Sequence, residues 1–178
     1  MKKFSAFALI FLLAACSSPN QKSDSAGTPM STKSASPAQA GAKFVPDIPL
    51  KDLETNEPLK FSDLKKPVVV TFWASWCTTC RKEFPLWRDK ALAKDVIGIN
   101  VQDARGGNKR RVSAYNLMKD NDTAFPSYVD SDEILTSHLG IVGLPVTIVV
   151  ASDGRILERN DGVITKKTLL RFVALTRD

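Results

Sequence analysis

The chain has 178 residues, 43% apolar and 25% charged, which is the composition of a soluble globular protein with length for about one domain. Its formal charge of +6 falls to +3 once Lys2, Lys3 and the net +1 of Lys22, Lys33 and Asp24 are set aside. No basic stripe is interleaved with aromatics, so nucleic-acid binding has no support.

The first forty residues differ from the rest. Lys2 and Lys3 precede an apolar run from Phe4 to Ala15, the n-region and short h-region of a secretory signal. Such a run is too short to cross a bilayer, which needs about 20 residues. It ends Leu13-Ala14-Ala15-Cys16, which resembles a bacterial lipoprotein signal. That resemblance implies cleavage after residue 15 and lipidation of Cys16, and two or more acyl chains would anchor the product without spanning the membrane. Residues 16–42 are rich in Ser, Ala, Pro, Gln and Gly and bury too little to offset the entropy of ordering. They read as a flexible tether reaching roughly 25 to 30 Å. The folded domain is expected over residues 43–178.

Within it, Phe44 to Lys60 carries Pro46, Pro49 and Pro58 among apolar residues and reads as a short edge hairpin. Val68 to Trp73 is a continuous apolar, β-branched run, the pattern of a strand buried on both faces. A helix is predicted over Arg81 to Leu92, kinked at Pro85, with Phe84, Trp87 and Leu92 in the core. Val96 to Val101 is a second strand, followed by the Gly106-Gly107 loop and a helix over Asn108 to Lys119. Pro126 to Asp130 is a short strand. Ser131 to Leu139 is a short helix with Ser131 as N-cap and Asp132 and Glu133 in its first turn. Val146 to Val150 and Arg155 to Arg159 are strands joined by a two-residue Asp153-Gly154 turn. A last helix follows Thr165, with Leu169, Leu170, Phe172, Val173 and Leu175 mostly toward the sheet.

The chemistry concentrates at Trp76-Cys77-Thr78-Thr79-Cys80. Two cysteines so close in sequence gain little as a structural bridge, because stabilisation grows with loop length. At a strand-to-helix junction the first thiol is expected to be exposed at the helix N-terminus and the second to lie one turn inside. Unpaired N–H groups and the helix dipole stabilise a thiolate there. Cys77 is then the nucleophile: it attacks a partner disulfide, and Cys80 resolves the mixed disulfide to leave the Cys77–Cys80 bridge. Arg81 and Lys82 read as a solvated helix face. With one histidine, His138, placed late in a short helix, and no second cysteine pair, a zinc site has too few ligands. No metal or cofactor is expected.

Several separated segments resemble the thioredoxin superfamily. Val70-Thr71-Phe72-Trp73-Ala74-Ser75-Trp76-Cys77-Thr78-Thr79-Cys80 is similar to its active-site strand and turn, with Pro85 five residues after Cys80 as in that family. Gly140-Ile141-Val142-Gly143-Leu144-Pro145 is similar to the segment carrying its cis-proline, and Gly162 to a late glycine beside the site. The long Cys77-to-Pro145 spacing, the Pro-rich hairpin and the lipoprotein-like signal narrow the resemblance to the TlpA/ResA/DsbE subfamily. It implies an α/β thioredoxin fold: a central mixed sheet flanked by helices, with an amino-terminal hairpin and a helix-strand insertion between Gly106 and Asp130.

The resemblance further implies an extracytoplasmic thiol-disulfide oxidoreductase that reduces disulfides of exported proteins, in some relatives for cytochrome c maturation. A membrane electron donor of the CcdA/DsbD type would recharge it. Trp76, Leu144 and Pro145 would contact substrate, an extended chain pairing with the Leu144 backbone. Thr78-Thr79 replaces the common Gly-Pro or Glu-Pro. Thr71 stands where thioredoxins carry a buried carboxylate, so no side-chain base for Cys80 is named, and Val146 stands where Thr often follows the cis-proline. Three other readings stay open. A disulfide oxidase or isomerase uses the same pair. A peroxiredoxin-like peroxidase would carry a hydroxyl residue three positions before its cysteine, where Cys77 stands before Cys80. A Cu(I)-binding chaperone suits thiolates, although such relatives usually carry a wider cysteine spacing.

Overall fold

A computed structural model describes residues 44–101 and 103–177. The signal and tether expected over residues 1–42, including Cys16, lie outside the described residues. No helix among the described residues is long and apolar enough to cross a membrane.

The continuous apolar run Val68–Trp73 forms β3, buried at every position. Such a strand needs neighbours on both edges and layers on both faces. Val96–Val101 (β4) pairs parallel with it on one side and Val146–Val150 (β6) antiparallel on the other. Beyond β4, Ser127–Asp130 (β5) runs parallel and carries the amino-terminal hairpin Leu50–Asp52 (β1) and Pro58–Leu59 (β2) at the edge. Ile156–Asp161 (β7) closes the opposite edge. The order among the described residues is β2-β1-β5-β4-β3-β6-β7, the mixed sheet of a thioredoxin fold with an inserted strand.

One face of the sheet packs Val69, Trp73, Val96 and Val149 against Phe84, Trp87, Leu92, Leu169 and Phe172, in a cluster that includes Cys77 and Cys80. The other face packs Val70, Phe72, Ile99 and Ile148 against Leu135, Leu139 and Phe61. The two sets alternate along each strand, as the pleat requires. Gly98 in β4 marks the closest approach. The Trp73 indole N–H reaches across it to the Ser127 hydroxyl at 2.9 Å. A Cβ at Gly98 would lie 2.5 Å from Phe125 Cε2, 2.8 Å from Ser127 Oγ and 3.0 Å from Trp73 Nε1.

Four expectations need correction. The single helix over Arg81–Leu92 is broken into a 3-10 turn Cys80–Glu83, a short helix Phe84–Trp87 (α1) and another, Lys90–Ala93 (α2). Asp89 breaks it: its backbone is extended and its carboxylate caps α2, accepting from Ala91 and Leu92 N–H. After the insertion helix Gly107–Asp120 (α3), the next helix is Ile134–His138 (α4), shorter than expected and not capped by Ser131. Its free N–H groups go to the buried carboxylate of Asp130, which accepts from Leu135 N at 3.3 Å and Thr136 N at 2.8 Å.

The β6–β7 connection is a three-residue loop: Ala151 N–H donates to Arg155 O, and Gly154 takes a φ of +83°. In the last helix, Lys166–Ala174 (α5), Thr165 caps Thr168 N–H as expected, and Leu169, Phe172 and Val173 are buried, but Leu170 faces solvent.

Gly98→Ala is expected to lower stability by about 1 to 3 kcal/mol through overpacking against the Trp73–Ser127 bridge. Urea denaturation followed by tryptophan fluorescence measures it.

Candidate active site

The end of β3 sets the site. Ala74 leaves the sheet, and Cys77 N–H donates back to Ala74 O at 3.1 Å, closing a tight turn. Cys77 and Cys80 are joined as a disulfide with their Cα atoms 5.3 Å apart. Among the described residues, the one hydrogen bond to Cys77 Sγ comes from Cys80 N–H, the first of the 3-10 turn, at 3.0 Å. Thr78 and Thr79 point to solvent.

The exposure expected for Cys77 is not found. It is 5% exposed against 1% for Cys80, and both belong to the core cluster. The reason is local: the bridge draws Cys77 Sγ inward under the turn, and Trp76, 52% exposed, takes the outer position.

The Leu144–Pro145 peptide is cis. Because Phe72 pairs with Val146, Pro145 emerges level with Trp73, at the end of the sheet from which the cysteine turn leaves. Gly162 N–H donates to Pro145 O at 2.9 Å, and its φ of +87° is one that side chains rarely adopt. Trp76 and Leu144 line one cavity of about 120 Å³ together with Ile141, Val142 and Gly143. Val142 is fully exposed and Val163 partly so, giving this end of the molecule an apolar rim. The structure therefore brings Trp76, Leu144, Pro145 and the cysteine pair to one pole. Trp73 is core, and His138 is exposed at the end of α4 with Nε2 3.1 Å from Phe44 O. Arg81 and Lys82 are exposed, and Arg81 donates to Ser75 O at 2.7 Å.

Sequence reasoning missed Glu83. It lies three residues after Cys80 in the same 3-10 turn, where residues i and i+3 eclipse, so the carboxyl shares the inward face of Cys80. It is 1% exposed. Desolvation raises its pKa from 4.5 to about 7, against the opposing pull of hydrogen bonds from Ile164 N–H, at 2.8 Å, and Trp87. A carboxyl titrating near neutrality on the same face of the turn as Cys80 has the pKa suited to proton exchange. The available signal was an acid in the otherwise basic segment Arg81-Lys82, directly before Phe84-Pro85.

Comparison with known proteins follows the same lines. The Redoxin family model matches residues 39–171. The thiol-disulfide oxidoreductase ResA of Bacillus subtilis is 25% identical over 138 residues, covering 74% of this chain and 73% of its own. The thiol:disulfide interchange protein HelX of Rhodobacter capsulatus is 30% identical over 146 residues, covering 78% of each. Among solved structures, a secreted thiol-disulfide isomerase from Corynebacterium glutamicum superposes with a TM-score of 0.63 at 26% identity, over 75% of this chain and 86% of that one.

Glu83 makes stability pH-dependent. Between pH 4.5 and 7 the folded chain keeps a proton that the unfolded chain has released, so the stabilisation present below pH 4.5 is lost as pH rises through about 7. The loss approaches about 3 kcal/mol. Denaturant titrations across this range are expected to show that fall in the wild type and a flatter profile in Glu83→Gln.

Proposed function

The chain belongs to the Redoxin family and is a thiol-disulfide oxidoreductase, and from that premise we propose that it reduces disulfides of exported proteins outside the cytoplasm, using Cys77 and Cys80. The observation that carries this reading is the bridged pair itself, with Cys80 N–H on Cys77 Sγ, Cys80 buried behind it and Glu83 on the inner face.

In the reduced form Cys77 thiolate attacks a substrate disulfide, forming one S–S bond and releasing the other substrate sulfur as thiolate. Cys80 gives its proton to Glu83 and attacks Cys77 Sγ. The mixed disulfide breaks, the second substrate sulfur leaves as a thiolate and takes back the proton held by Glu83, and the Cys77–Cys80 bridge holds the oxidising equivalents. Trp76, Leu144 and Pro145 hold the substrate segment over the pair, its backbone alongside Leu144.

The direction of electron flow is supported by what little stabilises the Cys77 thiolate. A strongly oxidising couple requires a reduced form that is itself strongly stabilised. Here one N–H reaches Cys77 Sγ among the described residues, and a buried carboxyl, Glu83, follows Cys80 in the same turn. These features favour the disulfide, as a reductant requires.

Each cycle consumes two electrons, which a membrane donor of the CcdA/DsbD type would return. Residues 1–15 would act as the signal, lipidated Cys16 as the anchor and residues 16–42 as the tether, leaving 43–178 free to reach both donor and substrate. Apocytochrome c is one fitting substrate, because its Cys-x-x-Cys-His thiols must be reduced before haem attachment.

Cys80→Ser is expected to accumulate mixed disulfides through Cys77 with exported cysteine proteins, read by non-reducing gels and mass spectrometry. The wild-type potential is expected nearer thioredoxin's, about −270 mV, than DsbA's, about −120 mV. A value near the latter, with an acidic Cys77, would replace the reductase reading by an oxidase one. Cys16→Ser is expected to move the protein from the membrane to the soluble fraction.

A further inference from the structure

A second buried carboxylate stands at the cysteine turn, on an element remote in sequence. Asp103 follows β4 and opens the 3-10 turn Asp103–Gly106. It is 1% exposed. Its Oδ2 accepts from Ser75 N–H at 2.7 Å and from Asn100 Nδ2 at 2.8 Å, and its Oδ1 accepts from Ser75 Oγ at 2.6 Å. Both polar groups of Ser75 that can donate are thus committed to one side chain, two residues before Cys77.

Asn100 shows how strongly the pocket is arranged around this charge. Its amide turns the donor to Asp103, and its Oδ1 is left buried with no hydrogen-bond partner among the described residues. Turning the amide over would satisfy nothing and set oxygen against carboxylate. An unpaired buried acceptor costs free energy, and the interaction that outweighs it here is the donor on Asp103.

We propose that Asp103 is a positioning residue that fixes the Ser75–Trp76–Cys77 turn and, through its buried negative charge, biases the Cys77–Cys80 couple toward the disulfide. This rests on the reading of Cys77 and Cys80 as the redox pair and supplies one physical origin for the reducing direction. In the couple, the bridge takes two electrons and two protons to give two thiols, and the Cys77 thiol then ionises. A nearby fixed anion disfavours the thiolate, so it disfavours the reduced state and makes the dithiol a stronger reductant. Arg81, donating to Ser75 O, acts in the opposite sense. It is exposed and screened by salt, whereas Asp103 is not.

The test is equilibration of the wild type and variants with glutathione buffers at low ionic strength, with the dithiol fraction read by thiol alkylation. Asp103→Asn, which keeps an acceptor for Ser75 and removes the charge, is expected to shift the equilibrium about tenfold toward dithiol, about 30 mV for a two-electron couple. Ser75→Ala, which loosens the turn and keeps the charge, is expected to slow exchange with little shift.

Arg81→Gln leaves the buried network intact, so it keeps the test open if Asp103→Asn does not fold. It is expected to shift the equilibrium the other way, toward disulfide, by about two- to threefold, the smaller size reflecting screening. The proposal is overturned if Asp103→Asn stays within twofold of wild type, if Ser75→Ala shifts as far, or if Arg81→Gln does not shift toward disulfide. A wild type that does not exchange with glutathione at all would instead remove the redox-pair reading beneath it.

Discussion

The register of β3 between β4 and β6 is the constraint on which the redox end depends. A slip of one residue would turn Val69, Thr71 and Trp73 to the opposite face and carry the cysteine turn away from its helix. With Phe72 opposite Val146, Trp73 and Pro145 come level, so the cysteine turn and the cis-peptide loop leave the sheet together. With Thr71 opposite Gly98, the Trp73 indole finds space to cross β4 and bond to Ser127 on β5. Three strands are pinned by one side chain, and the missing Cβ at Gly98 makes that possible.

Polar groups placed inside this apolar frame then divide the work. Thr71 and Thr147 face each other across β3 and β6 as buried hydroxyls with no partner among the described residues. At this pair the sheet therefore buries hydroxyls and no carboxylate. The acid comes from the helix side instead, as Glu83. Its environment is poor in donors for its burial, so it holds its proton more tightly than an ordinary carboxyl and gives it up only near neutrality. Asp103 lies in the opposite situation, with three donors converging on it. The proposed roles follow that contrast, proton exchange for Glu83 and positioning of the cysteine turn for Asp103.

Much of this was legible in the sequence where the signal is local. The β-branched run of β3, the apolar β4 and β6, Thr165 as an N-cap and the Cys-x-x-Cys spacing each depend on a few adjacent residues, and the structure has them as read. The segment after Cys80 was misread because Phe84, Trp87 and Leu92 all point to the core and so mimic one continuous helix, although Asp89 interrupts it. The start of α4 was misread because its cap is not Ser131 but Asp130, whose inward orientation depends on the end of β5. Glu83 and Asp103 were invisible for the same reason. An acid among basic residues, or after a Gln, reads as surface until the partners supplied by Ile164 and Ser75 are known.

The Thr78-Thr79 pair now has a different weight. The resemblance to thioredoxins makes the two residues between the cysteines the natural place to look for redox tuning. In this molecule both are solvent-exposed, and neither hydroxyl reaches the sulfurs among the described hydrogen bonds. In high dielectric, neutral hydroxyls exert little field on a sulfur buried beneath them, whereas a charge in the low-dielectric interior acts with little screening. The proposed tuning groups are therefore the inward ones: Cys80 N–H, Glu83 and Asp103. The outward residues, Trp76 and Val142 with the Leu144–Pro145 loop, form the exposed apolar rim that the proposed function assigns to recognition. A site divided in this way can change its substrates by altering its rim while its electron-transfer poise, held from below, stays constant.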